Sequence, residues 1–287
     1  MVTSEQIQQL IDAYETRPEA VAKELLGLFL LVPRDVIRAL APLLPEAIDT
    51  AEGADLMKLL LSEGPMFEIL ADTGALTDEK AVRLAQKLHE HEAFLDVKLA
   101  TWLFERNADE TRPSDHRTTN RCLTILAAIS DGSRILQQVM QLMRESDQRV
   151  RSKAAGLSGK GNRNLDWFLS LVEQAEARVL ANAIEPLWHS DWRHAREVFS
   201  QSLTSANNRV VGNALVGLYH QGDKARAIRD LRRMAANPDA AFRATAAWAI
   251  GELRDEDLQG ALSTLAGDVD GGVRRNAIRA LTRIRKA

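Results

Sequence analysis

A single cysteine in 287 residues excludes an intramolecular disulfide and any metal centre built on clustered thiolates. That residue, Cys122, stands at a position where related segments carry alanine, so packing is its expected role. Aromatic residues make up only 5% of the chain. The most apolar run, residues 25–32, is far shorter than the roughly 20 residues a membrane helix needs. The N-terminus, Met1-Val2-Thr3-Ser4-Glu5, shows no basic stretch followed by an apolar one, so no signal peptide is expected and the cytoplasm is the expected compartment. No β-branched alternation long enough for a strand occurs. Gly156-Leu157-Ser158-Gly159-Lys160-Gly161 lacks the spacing of a phosphate loop and reads as a helix end and turn. No cofactor and no metal is expected.

What the chain does have is self-similarity. Between residues 115 and 287 one helical phrase recurs, beginning at Thr118, Val150, Val179, Val210, Phe242 and Val273, at intervals of 32, 29, 31, 32 and 31 residues. Four positions after each start comes a small residue: Cys122, Ala154, Ala183, Ala214, Ala246 and Ala277. Four further on, Leu126, Leu187, Leu218, Ile250 and Leu281 supply a large apolar group, and only the second copy departs, with Ser158. Apolar residues at i, i+4, i+5 and i+8 form one stripe on a helix. A period near 31 leaves room for a second helix and two turns. Neither helix pair can bury its stripe alone, so the pairs must stack.

The partner helices are expected to start near Ser133, Asn164, Asp191, Asp223 and Asp255, each able to cap an N-terminus. Residues 1–114 are helical but do not keep the phrase, and read as irregular hairpins that cap or extend the array of about six repeats in 115–287. Pro18 opens a helix through Leu31, Thr77 caps another, and Asp109, Glu110 and Pro113 mark a hinge-like loop. Charge is uneven. Residues 1–143 hold 14 basic and 23 acidic side chains, a net −9, and residues 144–287 hold 23 and 17, a net +6. The basic half suggests an acidic partner.

The array resembles HEAT repeats, especially the short variety of phycobilisome-lyase-like proteins. The phrases that carry the likeness are Phe242-Arg243-Ala244-Thr245-Ala246-Ala247-Trp248-Ala249-Ile250-Gly251-Glu252-Leu253 and Asp270-Gly271-Gly272-Val273-Arg274-Arg275-Asn276-Ala277-Ile278-Arg279-Ala280-Leu281. The resemblance implies an all-α, right-handed α-α superhelix of antiparallel helix pairs. It also implies a ladder in which an Asp before the second helix and an Arg after its first apolar residue bond from repeat to repeat. Asp268 with Arg274 fits, Arg151 and Arg243 keep the Arg, and Leu180 and Val211 break the series.

If the second helices line the concave face, 100° per residue turns offsets +2, +3, +6 and +10 into the groove. That selects Asn182, Asn213 and Asn276, whose amides could meet a peptide backbone. It also selects Trp248 and the stripe Arg275, Arg279 and Arg283, with Arg243 beside them. The expected function is a non-enzymatic scaffold that holds a protein or peptide segment, acidic ones included.

Alternatives are nucleic-acid binding by the basic half, as in HEAT-like DNA glycosylases, and a lyase-like accessory role. Trp188-His189-Ser190-Asp191-Trp192-Arg193-His194 is dense in functional groups but reads as tryptophans packing at a hairpin junction. His89-Glu90-His91-Glu92 echoes the iron-binding His-Glu pairs of deoxyhypusine hydroxylase. Alternate residues diverge on a helix, however, so no metal site is expected there.

Overall fold

A computed structural model describes residues 4–13, 16–31, 33–41, 44, 51–108 and 115–285. Among these the structure is all-α. Three helices open the chain: α1 (Ser4–Asp12), α2 (Pro18–Leu31) and α3 (Pro33–Leu40). Then come α4 (Ala51–Ser62), α5 (Pro65–Ala71), α6 (Asp78–His91) and α7 (Leu95–Ala108). The repeat region follows with α8 (His116–Ile129), α9 (Leu136–Leu142), α10 (Gln148–Gly161), α11 (Leu165–Gln174) and α12 (Ala177–Ile184). It ends with α13 (Ala195–Ser202), α14 (Asn208–His220), α15 (Lys224–Ala235), α16 (Ala240–Leu253), α17 (Gln259–Ala266) and α18 (Gly271–Arg285). The residues expected to form a hinge, Asp109, Glu110 and Pro113, lie outside the described residues, as does Thr3.

The chain forms two compact units, Met1–Lys153 and Ala154–Ala287. In the second, the helices carrying the recurrent phrase stack side by side, α12 on α14, α14 on α16 and α16 on α18. Their hairpin partners α13, α15 and α17 form the other layer. The small residues at offset +4, Ala183, Ala214, Ala246 and Ala277, are all fully buried. Small side chains there let the two layers approach closely, and Phe168, Phe199, Leu187, Leu218, Leu231, Ile250 and Leu262 fill the seam between them. In the first unit α8 packs on α6 and α7.

Five of the six repeats are started by a side-chain cap three residues before the first apolar position; the copy at Val179 has Glu176 there, without such a bond. Asp115 accepts from the backbone N–H groups of Arg117 and Thr118, Asp147 from those of Arg149 and Val150, and Asn207 from those of Arg209 and Val210. Asp270 does the same for α18 with Gly272 and Val273, and Asp239 accepts from the Ala241 N–H alone at the start of α16. These caps satisfy N–H groups that a helix end otherwise leaves unpaired. On the partner helices, Asn164 caps α11, and Asp255 caps the short turn before α17. Asp191 does not start α13: Ser190 accepts from the Trp192 N–H instead, and the helix proper begins four residues later than expected, at Ala195.

The second bonding pattern is the arginine at offset +1. Arg243 Nη1 donates to the carbonyls of Asn237 and Pro238 at 2.9 and 2.8 Å, and Arg274 Nη1 to those of Asp268 and Val269 at 2.7 and 2.9 Å. In the first unit Arg151 Nη1 makes the same clamp on Glu145 and Ser146. Thus each arginine closes the turn that leads into its own helix. The other edge of Arg243 forms a bidentate pair with Asp268 of the next repeat, at 2.7 and 2.9 Å. Arg243 is therefore committed to the stack and is not a groove residue, contrary to the expectation from its place in the phrase.

The Arg243 guanidinium and the Asp270 backbone N–H hold the Asp268 carboxyl down, to a pKa of about 2 against the usual 3.8. A depressed folded-state pKa contributes stability above the unfolded value and loses it as pH falls through the folded one. The melting-temperature difference between wild type and Asp268→Asn should therefore be full above about pH 4 and gone near pH 2. A difference that is constant over this range would show that the pair does not link these repeats.

Candidate functional site

The third pattern decides what the second-helix face can offer a ligand. At offset +3, Asn213 Nδ2 on α14 donates to the Ala181 carbonyl of α12 at 2.9 Å, and Asn276 Nδ2 on α18 to the Ala244 carbonyl of α16 at 3.0 Å. Lys153 Nζ makes the equivalent bond to the Asn120 carbonyl at 3.0 Å in the first unit. Every one of these acceptors stands at offset +2 of the preceding copy. A helix carbonyl has a second lone pair after its i+4 bond, so it can take this extra donor.

The fifth copy has Thr245 at offset +3. Its Oγ1 accepts from Asn208 Nδ2 at 2.5 Å, and the same amide donates to the Ala241 carbonyl at 3.1 Å. Gly212 makes room for this: a Cβ there would run into the Thr245 methyl group. In the first unit Arg121, also at offset +3, is buried and donates to Asp78 and to the carbonyls of Asp72 and Leu76. The expectation that the +3 column looks freely into a groove is thus corrected. Neighbouring segments lie within reach of these side chains and hydrogen-bond to them, as acceptors for Asn213, Asn276, Lys153 and Arg121 and as the donor for Thr245.

Above this latch lies a cavity of about 500 Å³ on the second-helix face of the second unit. Asn208 and Arg209 come from the start of α14 and Asn213 from its middle. Thr245 and Trp248 belong to α16, Asn276 to α18, and Glu185 follows α12. Asn213 is 4% exposed, and with its nitrogen held by Ala181 its Oδ1 is buried and accepts no hydrogen bond from the protein. Trp248 forms a half-buried wall 6.1 Å from the Trp188 ring, while Trp188 Nε1 donates to the Asn213 carbonyl at 3.0 Å. Desolvation by the surrounding walls raises the Glu185 pKa; Arg209 opposes that shift and Glu252 adds to it. His220 lies 6.5 Å from the Trp188 ring and 4.2 Å from His189, and burial and the neighbouring imidazole lower its pKa.

The sequence-selected residues therefore separate. Asn213, Trp248 and Asn276 come together at the cavity, and Asn182 stands on the neighbouring α12. Of the arginine stripe, Arg283 pairs with Glu252, whereas Arg275 and Arg279 are exposed on α18. Glu185 at offset +6 and Thr245 at offset +3 stand in the columns expected to face the groove. Asn208 and Arg209 precede the recurrent phrase and lie outside those columns; they follow the cap residue Asn207, and the cap that recurs before most repeats is the one signal that points to them.

The Trp188–His194 run is a packed junction, as expected. Gln221 Nε2 donates to the carbonyls of Leu187, Trp188 and Ser190, Trp192 lies 5.3 Å from Phe168, and His194 faces Glu197.

With this geometry in view, comparison with known proteins places HEAT repeats at residues 228–287, covering α16 to α18 and most of α15. Residues 228–287 therefore match HEAT repeats, within a chain whose described residues are all-α. No curated protein matches the sequence. Among solved structures, human deoxyhypusine hydroxylase in complex with glycerol aligns at 14% identity and a TM-score of 0.35, covering 91% of this chain and 100% of that one. An engineered protein aligns at 16% identity and a TM-score of 0.30, over 77% of this chain and 96% of its own. Likeness at that level carries no functional inference.

Among the described residues no three His, Cys, Asp or Glu side chains converge as metal ligands, and no helix is long and apolar enough to cross a membrane. Cys122 is fully buried, and desolvation pushes its thiol up to about 12. The thiolate is the reactive form, so the native chain should resist iodoacetamide at neutral pH and take up one equivalent on unfolding, read by intact mass. Labelling of the folded chain at the rate of a free thiol would contradict this burial.

Proposed function

We propose that this HEAT-repeat chain is a non-enzymatic scaffold that holds a protein segment on the second-helix face of residues 154–287. One observation carries the reading: side chains from four successive repeats converge on one cavity of about 500 Å³, with the half-buried Trp248 as its apolar wall. Ligand sites are concave, largely preformed and furnished with a few placed polar groups around an apolar surface. An aromatic wall supplies contact area at low entropic cost, which is why Trp anchors so many interfaces. Repeat arrays also extend a surface along an axis, suiting it to a chain that crosses several repeats. Arg275 and Arg279 are exposed on α18, one repeat beyond Trp248, and are available to the same segment.

The test is affinity capture with wild type and with the double variant Trp248→Leu, Arg279→Ala, which keeps an apolar side chain at the half-buried position. Recovery of a specific polypeptide should fall several-fold while the melting temperature stays near that of wild type. Unchanged recovery of every polypeptide would overturn the reading. So would recovery of nucleic acid in place of protein, with affinity falling steeply as salt rises.

A further inference from the structure

We infer that the cavity takes a hydrogen-bond-donating cation, the guanidinium or ammonium group of a basic side chain on the bound segment. This rests on the reading of the cavity as the segment's site. It goes further by fixing the sign and polarity of what enters.

A carbonyl oxygen can only accept, so it dictates which end of an asparagine amide faces it. Ala181, Ala241 and Ala244 therefore turn the nitrogens of Asn213, Asn208 and Asn276 toward the stack. The oxygens of three cavity-lining amides are left as acceptors. One of them, Asn213 Oδ1, is buried and unpaired, and an unmet buried acceptor favours any ligand that brings a donor to it. A fourth acceptor is the Glu185 carboxylate, which supplies negative charge. Trp248 adds an aromatic face, to which a cation is attracted by the ring quadrupole. A planar guanidinium, with five N–H donors and a face that stacks on aromatics, matches that combination well.

Donors do occur on the same walls, namely the Thr245 hydroxyl, the Trp248 indole N–H and Arg209. Only Arg209 is charged. It is exposed, and it makes no ion pair with Glu185 within 4 Å. Arg209 would thus oppose an incoming cation and welcome an incoming carboxylate, so it separates the two possibilities. A cationic ligand is opposite in sign to the acidic partner that the net charge of the basic half suggests, because the local donor and acceptor pattern outweighs a diffuse surface excess.

The experiment measures fluorescence anisotropy of fluorescein-labelled hexa-arginine, hexaglutamate and hexaglutamine peptides on the full chain at physiological ionic strength. Hexa-arginine should bind tightest. Glu185→Gln should weaken it about tenfold, the scale of one charge-assisted hydrogen bond, and Arg209→Ala should tighten it. Glu173→Gln, an exposed acid on α11, should leave it unchanged.

Hexa-arginine affinity that is indifferent to both Glu185→Gln and Arg209→Ala would overturn the inference. So would hexaglutamate binding that is lost in Arg209→Ala. If either result appears while Trp248→Leu, Arg279→Ala still loses the polypeptide partner, the segment-binding reading stands and only its polarity falls. If the partner is also retained, both fall.

Discussion

A side-chain donor reaching back into a helix carbonyl of the preceding repeat is the interaction on which the second-helix face depends. Asn213 to Ala181 and Asn276 to Ala244 repeat the same step, offset +3 to offset +2. Each such bond is worth only about 0.5–1.5 kcal/mol net. Its importance is positional. Apolar stacking alone tolerates sliding, because dispersion and burial are non-directional. A short amide that must meet one carbonyl fixes the register of one helix on the next. The bidentate Arg243–Asp268 pair adds a second point of registration between α16 and the turn before α18.

The same bonds determine the chemistry of the surface they build. An amide has two ends, and when the stack holds the nitrogen, the oxygen is what a ligand meets. Stability and recognition are thereby coupled in single residues. Changing Asn213 would alter both the stack and the cavity, whereas Glu185 and Arg209 shape the cavity alone.

Much of the architecture was legible in the sequence, because it is carried by columns that one helical period makes visible. The recurrent small residue at offset +4 predicts burial, and Ala183, Ala214, Ala246 and Ala277 are buried without exception. The role of Cys122 follows from its place in that column. What a single-helix projection cannot give is the reach of a neighbouring helix. Packed helices lie about 8–10 Å apart, near enough for one to intercept side chains that project along its flank. So Asn213, Asn276 and the long Lys153, all at offset +3, are latched, while Trp248 and Arg279 stand at offset +6. Arg243 was misplaced for a related reason: its partner Asp268 lies 25 residues on, in a turn that becomes its neighbour only once the repeats stack. The delayed start of α13 arises from Ser190 accepting the Trp192 N–H, a local choice that Ser190 and Asp191 present equally in sequence.

The latch can be observed directly by scalar coupling across the hydrogen bond. In a ¹³C,¹⁵N-labelled sample the side-chain amide nitrogens of Asn213 and Asn276 should couple to the carbonyl carbons of Ala181 and Ala244, and their protons should exchange slowly with water. Absence of both couplings, together with exchange at the rate of an exposed asparagine amide, would show that the helices are not held this way and that the amide oxygens have no fixed direction.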